Sequence, residues 1–230
     1  MSICLNQATK LSAAEWARQL RVPFHDIELW HPTFPQNTLL YFIDPITPTT
    51  GGLSGMSMVR YGAGVWVKNW TEYADFRQYN TAYVYYFDAT RRPREILVDQ
   101  NAATRIAPAL SVDFGASIQV PRTTVKRGDP IVLMLYWRAI GKIDRDYTMF
   151  AHLVAPDGTV IAAYDSAPRK GRVPTSQWNA MPYIADSIVI PVNANAPIGS
   201  NDRIEIGWYD SATRQRLDGT AVIAPFNIVP

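Results

Sequence analysis

The run Ile131-Val-Leu-Met-Leu-Tyr-Trp137 is apolar or aromatic on both of its alternating faces until Arg138, and this constrains the chain more than any other feature. Successive side chains of a strand point to opposite sides, so such a run needs cover on both. It suits a strand in the middle of a sandwich better than one in an open sheet with a wet face. Two more strands follow, Tyr147 to Leu153 and Thr159 to Tyr164. The polar connection Gly141 to Asp146 separates the first two, and Pro156-Asp157-Gly158 makes a tight turn into the third. Proline presets φ at the first turn position and glycine accepts the positive φ that follows. Nothing in this stretch is a catalytic signature.

Closely spaced strands continue on either side: Leu110 to Val120 with a break at Gly115, Ser187 to Val192, Arg203 to Tyr209 and Val222 to Ile228. Turn residues lie between them and no helical period intervenes, which predicts an antiparallel β-sandwich of seven or eight strands, immunoglobulin-like or jelly-roll. Leu133, Leu135 and Trp137 should face one way into its core. The segment Arg169 to Tyr183 is longer and aromatic, and should cover one end or edge.

The first hundred residues read differently. Ser12-Ala-Ala-Glu15 has capping-box spacing, and Ala13, Trp16, Ala17 and Leu20 form one apolar helical stripe ending near Pro23. His25 to Pro35 reads as irregular or only partly helical. Short apolar strands at Leu39 to Ile43, Val65 to Lys68 and Tyr83 to Phe87 alternate with helices at Leu53 to Tyr61 and, weakly, Glu72 to Tyr79. That alternation predicts a small parallel α/β, Rossmann-like unit, since parallel strands need crossover connections. A chain of 230 residues accommodates two such domains, 1–103 and 104–230. The joint from Ala102 to Pro108 is short, apolar and poor in glycine and serine, so the two should pack rather than swing.

Composition removes several functions. A formal charge of +2 with scattered lysines and arginines is no nucleic-acid footprint. The single cysteine, Cys4, excludes an internal disulfide and a cysteine metal cluster. No apolar run reaches the ~20 residues that span a bilayer, and the start lacks the pattern of a secretory signal. No cofactor signature is present.

The succession Tyr136-Trp-Arg-Ala139, Asp144-Arg-Asp-Tyr-Thr148, His152-Leu153, Asp157-Gly158, Asp165-Ser166, Pro174-Thr-Ser-Gln-Trp178 and Gly207-Trp-Tyr-Asp210 resembles a known region. It is the extracytoplasmic β-sandwich of large bacterial multi-pass membrane proteins similar to protein O-mannosyltransferase-type, polyprenyl-phosphate-sugar glycosyltransferases. Pro35 to Asp44, Gly55 to Gly64 and Tyr83 to Arg94 resemble the soluble segment after the last span of those proteins. The resemblance implies a non-catalytic extracytoplasmic module, tethered through a membrane portion of the parent protein, that assists glycan or acceptor binding or simply stabilises the membrane part. No catalytic residue of that family can be carried onto this sequence, because its machinery lies between the spans. Two alternatives stand beside it: a free-standing enzyme, and a pure protein-interaction module.

Candidate residues follow from chemistry. Trp178 and Tyr183 could offer flat faces to a sugar ring, with Trp178 placed for exposure by its Pro- and Ser-containing loop. Trp208, Tyr209, Trp66, Trp70 and Tyr73 could do the same or pack a core. Asp44 and Asp88 would both lie at carboxyl ends of parallel strands, the edge where open α/β sheets bind ligands, and form the alternative site. Asp144-Arg145-Asp146 matches the aspartate pattern of divalent-ion sites, but lies where a strand-to-strand turn already favours aspartate, so no metal site is expected. His25, Asp26, Glu28 and His31 cluster without a known ligand spacing, and His152 should be satisfied by a nearby carboxylate or carbonyl.

Overall fold

A computed structural model describes residues 24–43, 50–88, 90, 92–99, 105–106, 114–180 and 184–230. The protein is β-rich, with three sheets and two helices among these residues. The capping box and the stripe that follows it lie outside the described residues.

The first sheet contains β1 (Thr38–Phe42), β2 (Val65–Asn69), β3 (Thr81–Phe87) and β4 (Pro93–Leu97), in the order β2-β1-β3-β4. β1 runs parallel to both β2 and β3, while β4 is an antiparallel edge. Two helices, α1 over residues 24–30 and α2 (Thr50–Tyr61), serve one face. Phe24 and Ile27 of α1 and Leu53 of α2 pack there on Leu40, Phe42 and Tyr85. The segment His25 to Pro35 is partly helical, as expected: its first turns, through residue 30, are helical because Phe24 and Ile27 have a core to enter, and the rest is irregular. Glu72 to Tyr79 holds only the 3-10 turn Phe76–Gln78. The backbone N–H groups of Ala74 and Phe76 donate instead to Tyr136 Oη at 3.3 Å and Gln119 Oε1 at 3.0 Å, so the helical ladder is replaced by bonds to distant side chains.

The remaining strands are β5 (Arg105–Ile106), β6 (Phe114–Gln119), β7 (Thr124–Lys126), β8 (Ile131–Ala139), β9 (Tyr147–Val154), β10 (Val160–Ser166), β11 (Ile184–Ile190), β12 (Gly199–Asp210) and β13 (Ala221–Val229). They form one sheet ordered β10-β9-β12-β13-β7 and another ordered β11-β8-β6-β5. All pairings are antiparallel except β13 with β7, a departure from the purely antiparallel expectation. The Pro156-Asp157-Gly158 turn forms as expected, with Gly158 at φ 91° and Asp157 Oδ1 accepting from Thr159 N at 2.8 Å.

The two-sided run of β8 explains how the sheets stack. Ile131, Leu133, Leu135 and Trp137 enter a core shared with Met149, Ala151 and Leu153 of β9 and Ile204, Ile206 and Trp208 of β12. Val132, Met134 and Tyr136 point the other way and join Leu39, Tyr41, Ile43 and Val84 of the first sheet in a second core. The cover that the run demands thus comes from a different sheet on each side. The halves of the chain are packed together through that second core.

Candidate ligand crevice

Trp178 is fully buried, which overturns the exposure expected of it. It sits in the 3-10 segment Thr175–Ala180 and donates Nε1–H to Val173 O at 3.1 Å. Its ring lies 6.5 Å from Trp137 and 5.5 Å from Trp208, centroid to centroid, so three indoles close the end of the core. No sugar can stack on it in this state. Tyr183 and Asp44 lie outside the described residues.

Asp88 follows β3 and is used up by the turn into β4. Its Oδ1 accepts from Thr90 N, Thr90 Oγ1 and Arg92 N at 2.9, 2.6 and 3.0 Å, and its Oδ2 from Arg94 Nε at 2.9 Å. These donors hold the carboxyl at about 2, Thr90's hydroxyl contributing most. The other acidic groups singled out in the sequence and described by the structure are likewise paired. Arg145 contacts Asp144 and Asp210 at 3.5 and 3.3 Å, and Asp146 Oδ1 accepts from Ser176 N at 3.1 Å. Asp26 pairs with Arg92 at 2.9 Å, Glu28 with Arg60 at 3.5 Å and His31 with Glu95 at 2.7 Å, which disperses the cluster read between residues 25 and 31. His152 meets Asp165 at 3.1 Å, the satisfied arrangement expected of it. Among the described residues no group of three or more His, Cys, Asp or Glu is placed to hold a metal ion.

A concave site does form where the halves meet. Ile43 follows β1 and Trp70 follows β2, so both lie at carboxyl ends of parallel strands. Trp70 N donates to Phe42 O at 2.9 Å, fixing the exit of the chain there. Opposite stand Asp186 and Ser187 of β11, Tyr164 of β10, and the turn Pro168–Gly171 with Arg172 beyond it. They enclose a cavity of about 190 Å³. This is the strand-end edge singled out in the sequence, reached beside β1 and β2 rather than at Asp88.

Its electrostatics are set by two arginines over one indole. The guanidinium of Arg169 lies 5.3 Å and that of Arg172 5.7 Å from the Trp70 ring centroid, within cation–π range. Arg169 is further pinned: its backbone N–H donates to Asp186 Oδ2 at 3.0 Å and its Nε to Ala185 O at 2.7 Å. Burial pulls the Arg169 pKa below the usual arginine value, and Asp186 opposes that shift. Below the cavity, Tyr41 Oη lies 3.4 Å from Ser187 Oγ, and burial pushes the Tyr41 phenol up to about 12, so it stays a neutral hydroxyl. The backbone at Arg169 and Lys170 is left-handed, at φ 48° and 56°, and Gly171 continues at φ 81°. Each non-glycine residue in that region costs roughly 1–2 kcal/mol, and such strain persists only where the surroundings hold it.

The arrangement offers an indole face, fixed guanidinium donors, and carboxylate and hydroxyl acceptors, which is the mix that orients a polar ring. Trp70 was among the aromatics read as possible platforms. Arg169 and Arg172 were not singled out, although the quartet Arg169-Lys-Gly-Arg172 is the densest positive run in its segment and its glycine signals a left-handed turn. The sequon-like Asn69-Trp-Thr71 folds on itself here: Asn69 is buried and accepts from Thr71 N and Oγ1 at 2.8 and 2.6 Å.

No protein-family model matches the chain, and no curated protein sequence is similar to it. Among solved structures, part of the chain is similar to a β-glucuronidase from glycoside hydrolase family 2, with 12% identity and a TM-score of 0.30. That match covers 52% of this chain and spans only 10% of the other.

Proposed function

We propose that the chain is a non-catalytic extracytoplasmic accessory module of a membrane glycosyltransferase-like protein. In this reading residues 1–103 are a parallel α/β, Rossmann-like domain, and residues 104–230 a β-sandwich of immunoglobulin-like or jelly-roll kind. The module stands outside the membrane, tethered through the membrane-embedded portion of its parent, and captures a glycan or acceptor in the crevice between its halves. No described helix is long and apolar enough to cross a membrane.

The observation that carries the reading is the crevice: Trp70 supplies the stacking face while Arg169, Arg172, Asp186 and Ser187 supply directional hydrogen bonds around it. Creases between packed units are favoured ligand sites. The motif resemblance carries the membrane setting. Calorimetric titration of the chain with mannose-containing oligosaccharides tests the binding claim. Saturable heat that disappears in Trp70→Ala, with the melting profile kept, is the expected result. No heat with the parent chain, or heat indifferent to Trp70, would refute it.

A further inference from the structure

The outer face of the five-stranded sheet carries a second constellation, which shares only β10 with the crevice: Tyr164 lines the crevice and its neighbour Asp165 lines this second site. Phe150 and His152 of β9 point away from the shared core, and Gly207 of β12 lies directly across from Phe150. A β-carbon at 207 would come within 2.6 Å of Phe150 Cζ. Glycine there is what allows the ring to lie down over the neighbouring strand. On the ring sits Arg216, its guanidinium carbon 4.3 Å from the centroid. A second guanidinium, that of Arg214, lies 5.4 Å from the Tyr209 ring centroid and donates Nη1–H to Tyr209 Oη at 3.0 Å.

Both arginines arrive on a turn with little freedom. Asp210 Oδ1 accepts from Ala212 N and Thr213 N at 2.8 and 2.9 Å, and Arg214 N donates to Asp210 O at 2.8 Å. Arg214 is left-handed at φ 62°, and Arg216 forms a bridge with Tyr209 that closes the turn. Beside them His152 Nε2 and Asp165 Oδ2 are 3.1 Å apart, so the one carboxylate of the lining already has a partner. Together with Phe150 and Tyr209 these groups line a depression of about 410 Å³.

We propose that this depression binds a phosphate monoester, with Arg214 and Arg216 holding the phosphate oxygens. Two guanidinium forks outnumber the single carboxylate and are parked on aromatic rings, so little side-chain freedom is lost when an anion arrives. Two separate forks suit a tetrahedral group with three acceptor oxygens, whereas a planar carboxylate is satisfied by one fork. The depression exceeds the phosphate group, which leaves room for the organic part beside His152. The rings make Phe150 and Tyr209 positioning residues for the guanidiniums.

The test is titration of the whole chain with inorganic phosphate, phenyl phosphate and acetate at fixed ionic strength, read by calorimetry and by ¹H–¹⁵N shifts. Both phosphates should saturate, with shifts centred on residues 150–152 and 209–216 and acetate weaker by at least about tenfold. Phenyl phosphate tighter than inorganic phosphate marks an ester as the ligand, and the reverse order would overturn the ester in favour of the free ion. R216A and R214A should each weaken phosphate at least about tenfold, or ~1.4 kcal/mol, with unchanged melting, since both side chains are exposed. R216K keeps the charge but not the fork and should fall between. F150L keeps both charges and should still weaken binding by releasing Arg216. No saturation, equal response to acetate, shifts centred on Arg169 and Arg172 instead, or full affinity in both alanine variants would overturn the proposal.

Discussion

Replacing Trp178 by alanine should destabilise the protein rather than disable a binding face. The side chain has no exposed surface and touches Trp137 and Trp208. Burying an indole removes on the order of 200 Å² from water, worth about 5 kcal/mol at ~25 cal/mol/Å². A compact unfolded chain already hides roughly 10–40% of that area, which lowers the figure to about 3–4.5 kcal/mol. Loss of the two ring contacts and of the bond to Val173 O adds to it, and partial collapse of the cavity subtracts. The expected loss is about 3–5 kcal/mol, a large share of the ~5–15 kcal/mol that holds a domain folded. Urea unfolding followed by far-UV circular dichroism measures it without relying on the deleted fluorophore. Trp178→Phe, which keeps a ring but not the N–H, should lose roughly 1–2 kcal/mol. A loss below about 1 kcal/mol for Trp178→Ala would refute the three-indole core as a stabilising unit.

Leu135→Asp places a carboxylate among fully buried apolar neighbours of the shared core and should unfold the chain at room temperature; an unchanged melting curve would show β8 wrongly placed. Gly207→Ala drives a β-carbon into the Phe150 ring and should cost about 1–3 kcal/mol in chemical denaturation, partly recovered by adding Phe150→Leu. Asp88 titrates at about 2 against an ordinary 3.8, so the unfolded chain binds more protons between those values. Its contribution is present above pH 3.8 and is lost as pH falls through about 2, which Asp88→Asn should remove from the acid limb of a stability profile. A carboxyl-carbon titration giving Asp88 a midpoint at or above 3.8 would contradict this.

Strands that are apolar along their length were legible in the sequence, because burial dictates their composition. Thr38–Phe42, Ile131–Ala139 and Tyr147–Val154 all lie within a residue or two of where the pattern put them. β4 was not, since Pro93-Arg-Glu-Ile-Leu97 reads as a polar stretch after a proline. It is a strand because β3 offers it an unpaired edge, and an edge strand tolerates proline at its first position. The helix expected at Glu72 to Tyr79 failed for a similar reason: Tyr136 and Gln119, from the other half of the chain, accept its backbone donors. Local propensity has no knowledge of such partners. Trp178 misled in the opposite sense, because a Pro- and Ser-containing loop looks solvated until strands from elsewhere deliver Trp137 and Trp208 to it. The crevice was half legible. Strand ends and Trp70 could be found by pattern, but Arg169 reaches Thr71 across 98 positions of sequence, a closeness that only the folded chain creates.

That closeness depends on how the crevice is assembled. Its two walls belong to different halves of the chain, and what holds them in register is the face of β8 that points at the first sheet. Tyr136 of that face accepts from Ala74 N, and Tyr41, across the same core, reaches Ser187 in the cavity floor. Val132, Met134 and Ala185 fill the space between. Domain pairs joined only by a polar interface move relative to one another by default, whereas a buried apolar interface resists it. The strand that makes the fold recognisable in sequence is therefore also what fixes Trp70 opposite Arg169. Strain at Arg169 and Lys170 can persist at that position because the turn is tied to β11, Arg169 N donating to Asp186 Oδ2 and its Nε to Ala185 O.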